Sequence, residues 1–201
     1  MARRLVAFGC SYTYGHGLED CVDKFMQPGP TASKLAWPKL LADKLNLECI
    51  NEGQPGASNK QTWYKIINYN FRLTDLVFIL WSTNERHCII NKDYTVEQIG
   101  HWVTSKPSKV YYKHLFNEVD QAIDSNLRIE HCSYNLNSKG IKHYNMLFRK
   151  NTIEGSSNAT ILRTNFRTIK HGMPRAVDKL HPGKEAHTKF AQEIYGEINE
   201  T

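Results

Sequence analysis

The stretch Leu76-Val77-Phe78-Ile79-Leu80-Trp81 is apolar at every position. A strand with one wet face alternates apolar and polar residues; a strand covered on both faces does not. Such a run therefore points to a parallel sheet with helices packed on each side. Runs over residues 5–8, 48–50 and 127–132 read as further strands, with a weaker fifth over 159–163. Helical spacing fills the gaps between them. Trp37, Leu40, Leu41 and Leu45 make one stripe within 32–45. Trp63, Ile66, Ile67 and Phe71 make another within 59–71. A third, within 108–124, is Tyr112, Leu115, Phe116, Val119 and Ile123; the last, within 182–199, is Ala186, Phe190, Ile194 and Ile198. Pro182 suits the first position of that last helix, where no backbone donor is lost. Residues 88–107 and 134–158 are polar and mixed, and they read as loops on the ligand side of the sheet.

The 201 residues fit one domain spanning 1–201, and 40% apolar content suffices for one core. No run approaches the roughly 18 apolar residues of a membrane span. The apolar start is too short for a secretion signal, which implies a cytoplasmic protein or one borne by a virus. The five cysteines, Cys10, Cys21, Cys49, Cys88 and Cys132, are odd in number and scattered, as free thiols in a reducing compartment would be. The pairs His87-Cys88 and His131-Cys132 would point to opposite faces of a strand, so no metal site is expected, and no cofactor. The net charge of +6 is spread along the chain without a nucleic-acid-binding motif, so no nucleic-acid partner is expected. Oligomeric state is not readable from the sequence.

Four short segments carry chemistry. Gly9-Cys10-Ser11 follows the first strand, and Gly9 permits a tight turn that would leave Ser11 at the strand's carboxyl end, where ligands bind in open α/β sheets. Asn51-Glu52-Gly53-Gln54-Pro55-Gly56 follows the second strand and opens a helix, with amide donors unshielded. Ser82-Thr83-Asn84-Glu85-Arg86 follows the third strand. Asp178-Lys179-Leu180-His181 precedes the last helix; that spacing lets a carboxylate reach one imidazole nitrogen and turn the other outward. Taken singly, each segment is also an ordinary turn, cap or surface pair.

Taken together, Ser, Gly, Asn and His, in that order at strand ends and helix starts, resemble the SGNH (GDSL-type) hydrolase family. Gly9-Cys10-Ser11 is similar to its first block, Asn51 through Gly56 to its second, Ser82-Thr83-Asn84-Glu85 to its third, and Asp178-Lys179-Leu180-His181-Pro182 to its fifth. The resemblance implies a three-layer α/β/α sandwich, flavodoxin-like, with a central mostly parallel sheet of about five strands. It implies Ser11 as nucleophile, His181 as base and Asp178 as orienting acid. The Ser11 amide, the Gly56 amide and the Asn84 side chain would form an oxyanion hole. Cys10 stands where the family has Asp, and Ser82 where it has Gly; Cys10 is also an alternative nucleophile, which the family position disfavours. Tyr12, Tyr14, His16, Trp81 and Arg86 flank these blocks and are candidate substrate contacts. The family implies a small ester or acylated carbohydrate as partner. A catalytically silent carbohydrate- or protein-binding module with the same fold is the alternative.

Overall fold

The computed structural model describes residues 3–149 and 159–200. The chain runs β1 (Arg4–Gly9), α1 (Ser11–Tyr14), α2 (Trp37–Lys44), β2 (Glu48–Asn51), α3 (Asn59–Ile67), β3 (Leu76–Trp81), β4 (His87–Ile90), β5 (Val96–Ile99), α4 (Lys106–His114), α5 (Glu118–Ser138), β6 (Lys142–Leu147), α6 (Phe166–Ile169) and α7 (Lys184–Asn199). Four parallel strands form the main sheet in the order β2-β1-β3-β6, and β4 and β5 form a separate antiparallel pair.

The two central strands, β1 and β3, are buried along their whole length. Their side chains alternate between two cores. Leu5, Ala7, Phe78 and Leu80 pack with Trp37 and Leu41 of α2, Phe166 of α6 and Phe190 and Ile194 of α7. Val6, Phe8, Val77, Ile79 and Trp81 pack with Ile66 of α3 and Ile129, Cys132 and Leu136 of α5. The result is a three-layer α/β/α arrangement around a four-stranded parallel sheet.

Several expectations are corrected. Residues 127–132 are not a strand but the middle of α5: Gln121, Ser125, Ile129, Cys132 and Leu136 recur at helical spacing on its buried face. The fourth strand is β6 instead, where buried His143 and Asn145 hide the apolar pattern. Asn145 is satisfied there, accepting from Trp81 Nε1 at 2.8 Å and donating to Ser133 Oγ at 3.1 Å. The fifth candidate strand amounts to a single parallel bridge from Ile161 to Asn145. The helix expected within 108–124 is two helices, α4 and the start of α5. Residues 88–107 include most of the β4–β5 pair, and of 134–158, residues 150–158 lie outside the described part. Pro182 precedes α7, whose N-cap is Gly183. No described helix is long and apolar enough to cross a membrane.

One polar contact joins two helices inside the first core. The N-cap of α2 is Ala36, which offers no side-chain acceptor. His187 of α7, fully buried, supplies it: its Nδ1 accepts the Trp37 amide at 3.2 Å. Burial pushes the His187 pKa down to about 3, with a smaller push from His181. An unfolded histidine binds its proton near pH ~6.5. The unfolded chain therefore binds more protons than the folded one below that pH, and stability must fall as the pH drops. Urea unfolding of the wild type is expected to shift to lower urea between pH 7 and pH 5. His187→Asn, less stable at pH 7, should show a flatter dependence over the same interval; an equally steep one would remove His187 as its source.

Candidate active site

Because β1, β2 and β3 are parallel and in register, their carboxyl ends share one edge. Ser11 opens α1 directly beyond β1, with Cys10 as its N-cap. Cys10 is buried in the core side of this turn. The turn is tied to the loop after β2: the Gln54 amide donates to the Gly9 carbonyl at 2.9 Å, and Asn51 Nδ2 donates to the Thr13 carbonyl at 2.7 Å. The loop reaches Gly56 at a φ of +78°, where a side chain would collide with the Gln98 amide of β5. Gln98 in turn donates from Nε2 to the Pro55 carbonyl at 2.8 Å. The β4–β5 pair thus lies against the loop that carries Gly56.

Asn59, the first residue of α3, fastens the third block. Its Oδ1 accepts the Ser82 amide at 2.7 Å, and its Nδ2 donates to the Ser82 carbonyl and to Ser125 Oγ at 3.2 and 3.1 Å. The same Nδ2 makes a longer contact of 3.5 Å with Asn84 Oδ1. Asn84 thereby sits over the start of α3, beyond the end of β3.

Asp178 and His181 meet as their spacing implies. Asp178 Oδ2 lies 2.5 Å from His181 Nδ1, and Oδ1 accepts the Leu180 and His181 amides, both at 2.9 Å. Burial opposes ionisation of Asp178, but these hydrogen bonds win and hold its pKa below the usual carboxylate value. An ionised acceptor there requires the proton on Nδ1, which leaves the Nε2 lone pair outward. Burial lowers the His181 pKa, Asp178 pulls it up, and His16 and Arg86 push it down; the balance lies below the ordinary value. The pair is anchored to the segment after α1: the Val177 amide donates to the Gly17 carbonyl at 3.0 Å. Gly17, at a φ of +93°, lies under the carboxylate, so a Cβ there would come within 2.6 Å of Asp178 Oδ2.

The remaining candidates separate. The Tyr12 ring lies 5.7 Å from the His181 ring and packs on Phe148 and Phe166. His16 lies 4.5 Å from the His181 ring, with Nε2 at 3.2 Å from the Met26 carbonyl. Arg86 stacks over Trp102 at 4.8 Å. Tyr14 points elsewhere, its hydroxyl donating to the Gly29 carbonyl at 2.5 Å; Trp81 is fully buried in the core, with no ring surface open to a ligand. Ser11 is buried beside Tyr12, and among the described residues its hydroxyl has no hydrogen-bond partner. His16, Asp178 and His181 offer one donor atom each within 4.8 Å of one another. Both Asp178 oxygens are already engaged and Arg86 bears on His181, so this donor set disfavours a cation. The sequence offered no signal for Gly17, Asn59 or Gln98, because each acts on a residue far along the chain.

No family model matches the sequence, and no curated protein matches it. Solved structures do match. A protein assigned to the G-D-S-L lipolytic family from Desulfitobacterium hafniense aligns over 96% of this chain and 97% of its own, at 12% identity and a TM-score of 0.54. An acetylxylan esterase from Geobacillus stearothermophilus, solved as a catalytic mutant, aligns over 98% and 94%, at 14% identity and a TM-score of 0.58. An acetyl xylan esterase from the rumen bacterium Butyrivibrio proteoclasticus aligns over 98% of this chain at 12% identity and a TM-score of 0.61; this chain spans 63% of that longer protein. The chain has the SGNH hydrolase fold.

The geometry sets a sign for the His181 titration. Since the carboxylate is what pulls that pKa up, Asp178→Asn must lower it further. Nuclear magnetic resonance titration of the ring, assigned with His181→Gln, is expected to give a midpoint below ~6.5 in the wild type and a lower one in Asp178→Asn. Gly17→Ala, which displaces the carboxylate, should shift it the same way. A rise in either variant would contradict the contact.

Proposed function

We propose that this chain is a serine ester hydrolase that cleaves small acyl esters, with O-acetylated carbohydrate as the substrate class, through an acyl-enzyme. Ser11 Oγ attacks the ester carbonyl while His181 Nε2 takes its proton. The tetrahedral oxyanion is held by the Ser11 and Gly56 amides and the Asn84 side chain. Collapse breaks the bond to the alcohol, which leaves with the proton from His181. Water, deprotonated by the same nitrogen, then attacks the acyl-serine and releases the acid, and the proton returns to Ser11. Asp178 keeps the ring in the required tautomer and stabilises the imidazolium.

The observation that carries this reading is the Asp178–His181 bond, which frees Nε2 as the acceptor. It gains support from the shared strand edge and from structural neighbours described as esterases, two of them acetyl xylan esterases. The unpartnered Ser11 hydroxyl favours a second reading, a silent carbohydrate- or protein-binding module on the same fold. Hydrogen bonds of this kind often tighten only once substrate is bound, which keeps the enzyme reading first.

Hydrolysis of p-nitrophenyl acetate and labelling by a fluorophosphonate decide between the two. Both are expected in the wild type and absent in Ser11→Ala. Asn84→Ala should lose roughly 100- to 1000-fold in kcat with its unfolding midpoint little changed, the cost of one oxyanion donor. Because His181 must be neutral to accept the proton, activity should fall on acidification with a midpoint below ~6.5. A rate that survives Ser11→Ala unchanged would end the proposal.

A further inference from the structure

Three cations stand beside three different catalytic blocks, and each comes from a separate segment. Arg86 lies two residues beyond Asn84. Its Nη1 is buried and lacks a hydrogen-bond partner. Lys170, at the end of α6, brings Nζ to 3.2 Å from the Tyr12 hydroxyl, and over the Tyr12 and Phe148 rings at 5.1 and 5.2 Å. Tyr12 directly follows Ser11. Arg175 donates from Nη1 to the Leu180 carbonyl at 2.9 Å, next to His181.

These charges are close enough to be felt across the site. Arg86 and Arg175 both act on Tyr12, Arg86 acts on His181, and Arg175 and Arg167 act on Lys170. Among the described residues, no carboxylate pairs with Arg86, Lys170 or Arg175. The acid nearest the reacting centre, Asp178, is engaged by His181 and two amides. Glu85 has a cationic neighbour of its own in Arg149, at 3.9 Å. A guanidinium nitrogen withdrawn from water without an acceptor is costly, and like charges held together add to that cost. An incoming anion removes both penalties, and a guanidinium accepts carboxylate or phosphate oxygens in pairs.

We propose that the substrate is an anionic ester, one that bears a carboxylate or a phosphate besides the scissile acyl group, and that Arg86 and Lys170 bind that charged group. An O-acylated acidic sugar fits this description, as does an acylated sugar phosphate. The chemistry shared by the two is an oxyanion within reach of the oxyanion hole on one side and of Tyr12 on the other. The fate of the ligand rests on the ester-hydrolase reading; its binding does not.

The test compares kcat/KM for esters matched except in charge. Phenyl acetate is the neutral reference, 4-acetoxybenzoate carries a carboxylate, and 4-acetoxyphenyl phosphate carries a phosphate. At least one anionic ester is expected to exceed the neutral one by roughly tenfold, mostly through KM, with the excess shrinking as salt rises. The anionic-to-neutral ratio should fall by about tenfold in Arg86→Gln and in Lys170→Gln. It should hold in Lys189→Gln, a lysine on α7 paired with Glu193. The arm with the larger ratio identifies the anion. Ratios near one for both esters, or ratios insensitive to Arg86 and Lys170, overturn the proposal. If no ester is cleaved, the hydrolase reading fails separately. Glucuronate, glucose 6-phosphate and glucose are then titrated into Ser11→Ala by nuclear magnetic resonance. Shifts confined to the anions and lost on adding Arg86→Gln sustain the anion site; equal or absent shifts for all three remove it.

Discussion

The arrangement depends on β1 and β3 lying side by side, parallel and buried on both faces. A strand flanked by two cores cannot slip by one residue without driving every side chain into the opposite core. The register Ala7 to Phe78 and Gly9 to Leu80 is therefore fixed by packing. Parallel strands also return their chain along the outside of the sheet, so each of their carboxyl ends opens a loop on the same edge. Ser11, the Gly56 loop and Asn84 follow three such ends. Their common location follows from topology before any side chain at the site is considered.

Topology leaves these loops side by side but does not fix their distances. That is the work of polar contacts between them. Gln54 and Asn51 bind the second loop to the turn bearing Ser11, and Asn59 binds the third loop to α3 and α5. Val177 and Gly17 bind the Asp178–His181 segment to the residues after α1. Each bond joins segments remote in sequence, and those of Asn59 are buried. A buried amide that loses its partner costs about 1–3 kcal/mol. Displacing one loop would thus orphan groups on its neighbour, and this couples the loops into one unit.

The sequence made the fold legible where burial is apolar and hid it where burial is polar. β3 is a run of six apolar residues, and β1 nearly so. β6 is a largely buried edge strand, but Asn145 and His143 break its pattern, and the tertiary partners Trp81 and Ser133 make a buried Asn tolerable. In α5, Leu127 and Ile129 mimic strand alternation for a few residues, whereas the helical repeat needs the longer span from Gln121 to Leu136. The Asp178–His181 contact was readable because three residues separate the two, within reach of one turn. Trp81 was placed beside the site for its position in the chain, yet strand alternation sends its ring to the α3–α5 core. Gly17, Gln98 and Lys170 were invisible, since their roles arise from contacts with Asp178, Gly56 and Tyr12, all remote in sequence.

The charge distribution links binding to the chemistry of His181. Its imidazole is pulled two ways: burial, His16 and the cation Arg86 disfavour the charged form, and Asp178 favours it. The first set prevails, so the ring stays uncharged to a lower pH than an ordinary histidine would. An anion seated on Arg86 would offset that cation, though not His16, and would add a negative charge near the ring. In the proposed reaction, both changes would strengthen the base as Ser11 loses its proton. Arg175, which already has the Leu180 carbonyl as a partner, adds positive charge beside the site without being an anion ligand itself. A neutral ester would meet the same oxyanion donors but a weaker base. Discrimination would then arise chiefly in binding, with a smaller share in the proton transfer, from the arginine two residues beyond Asn84.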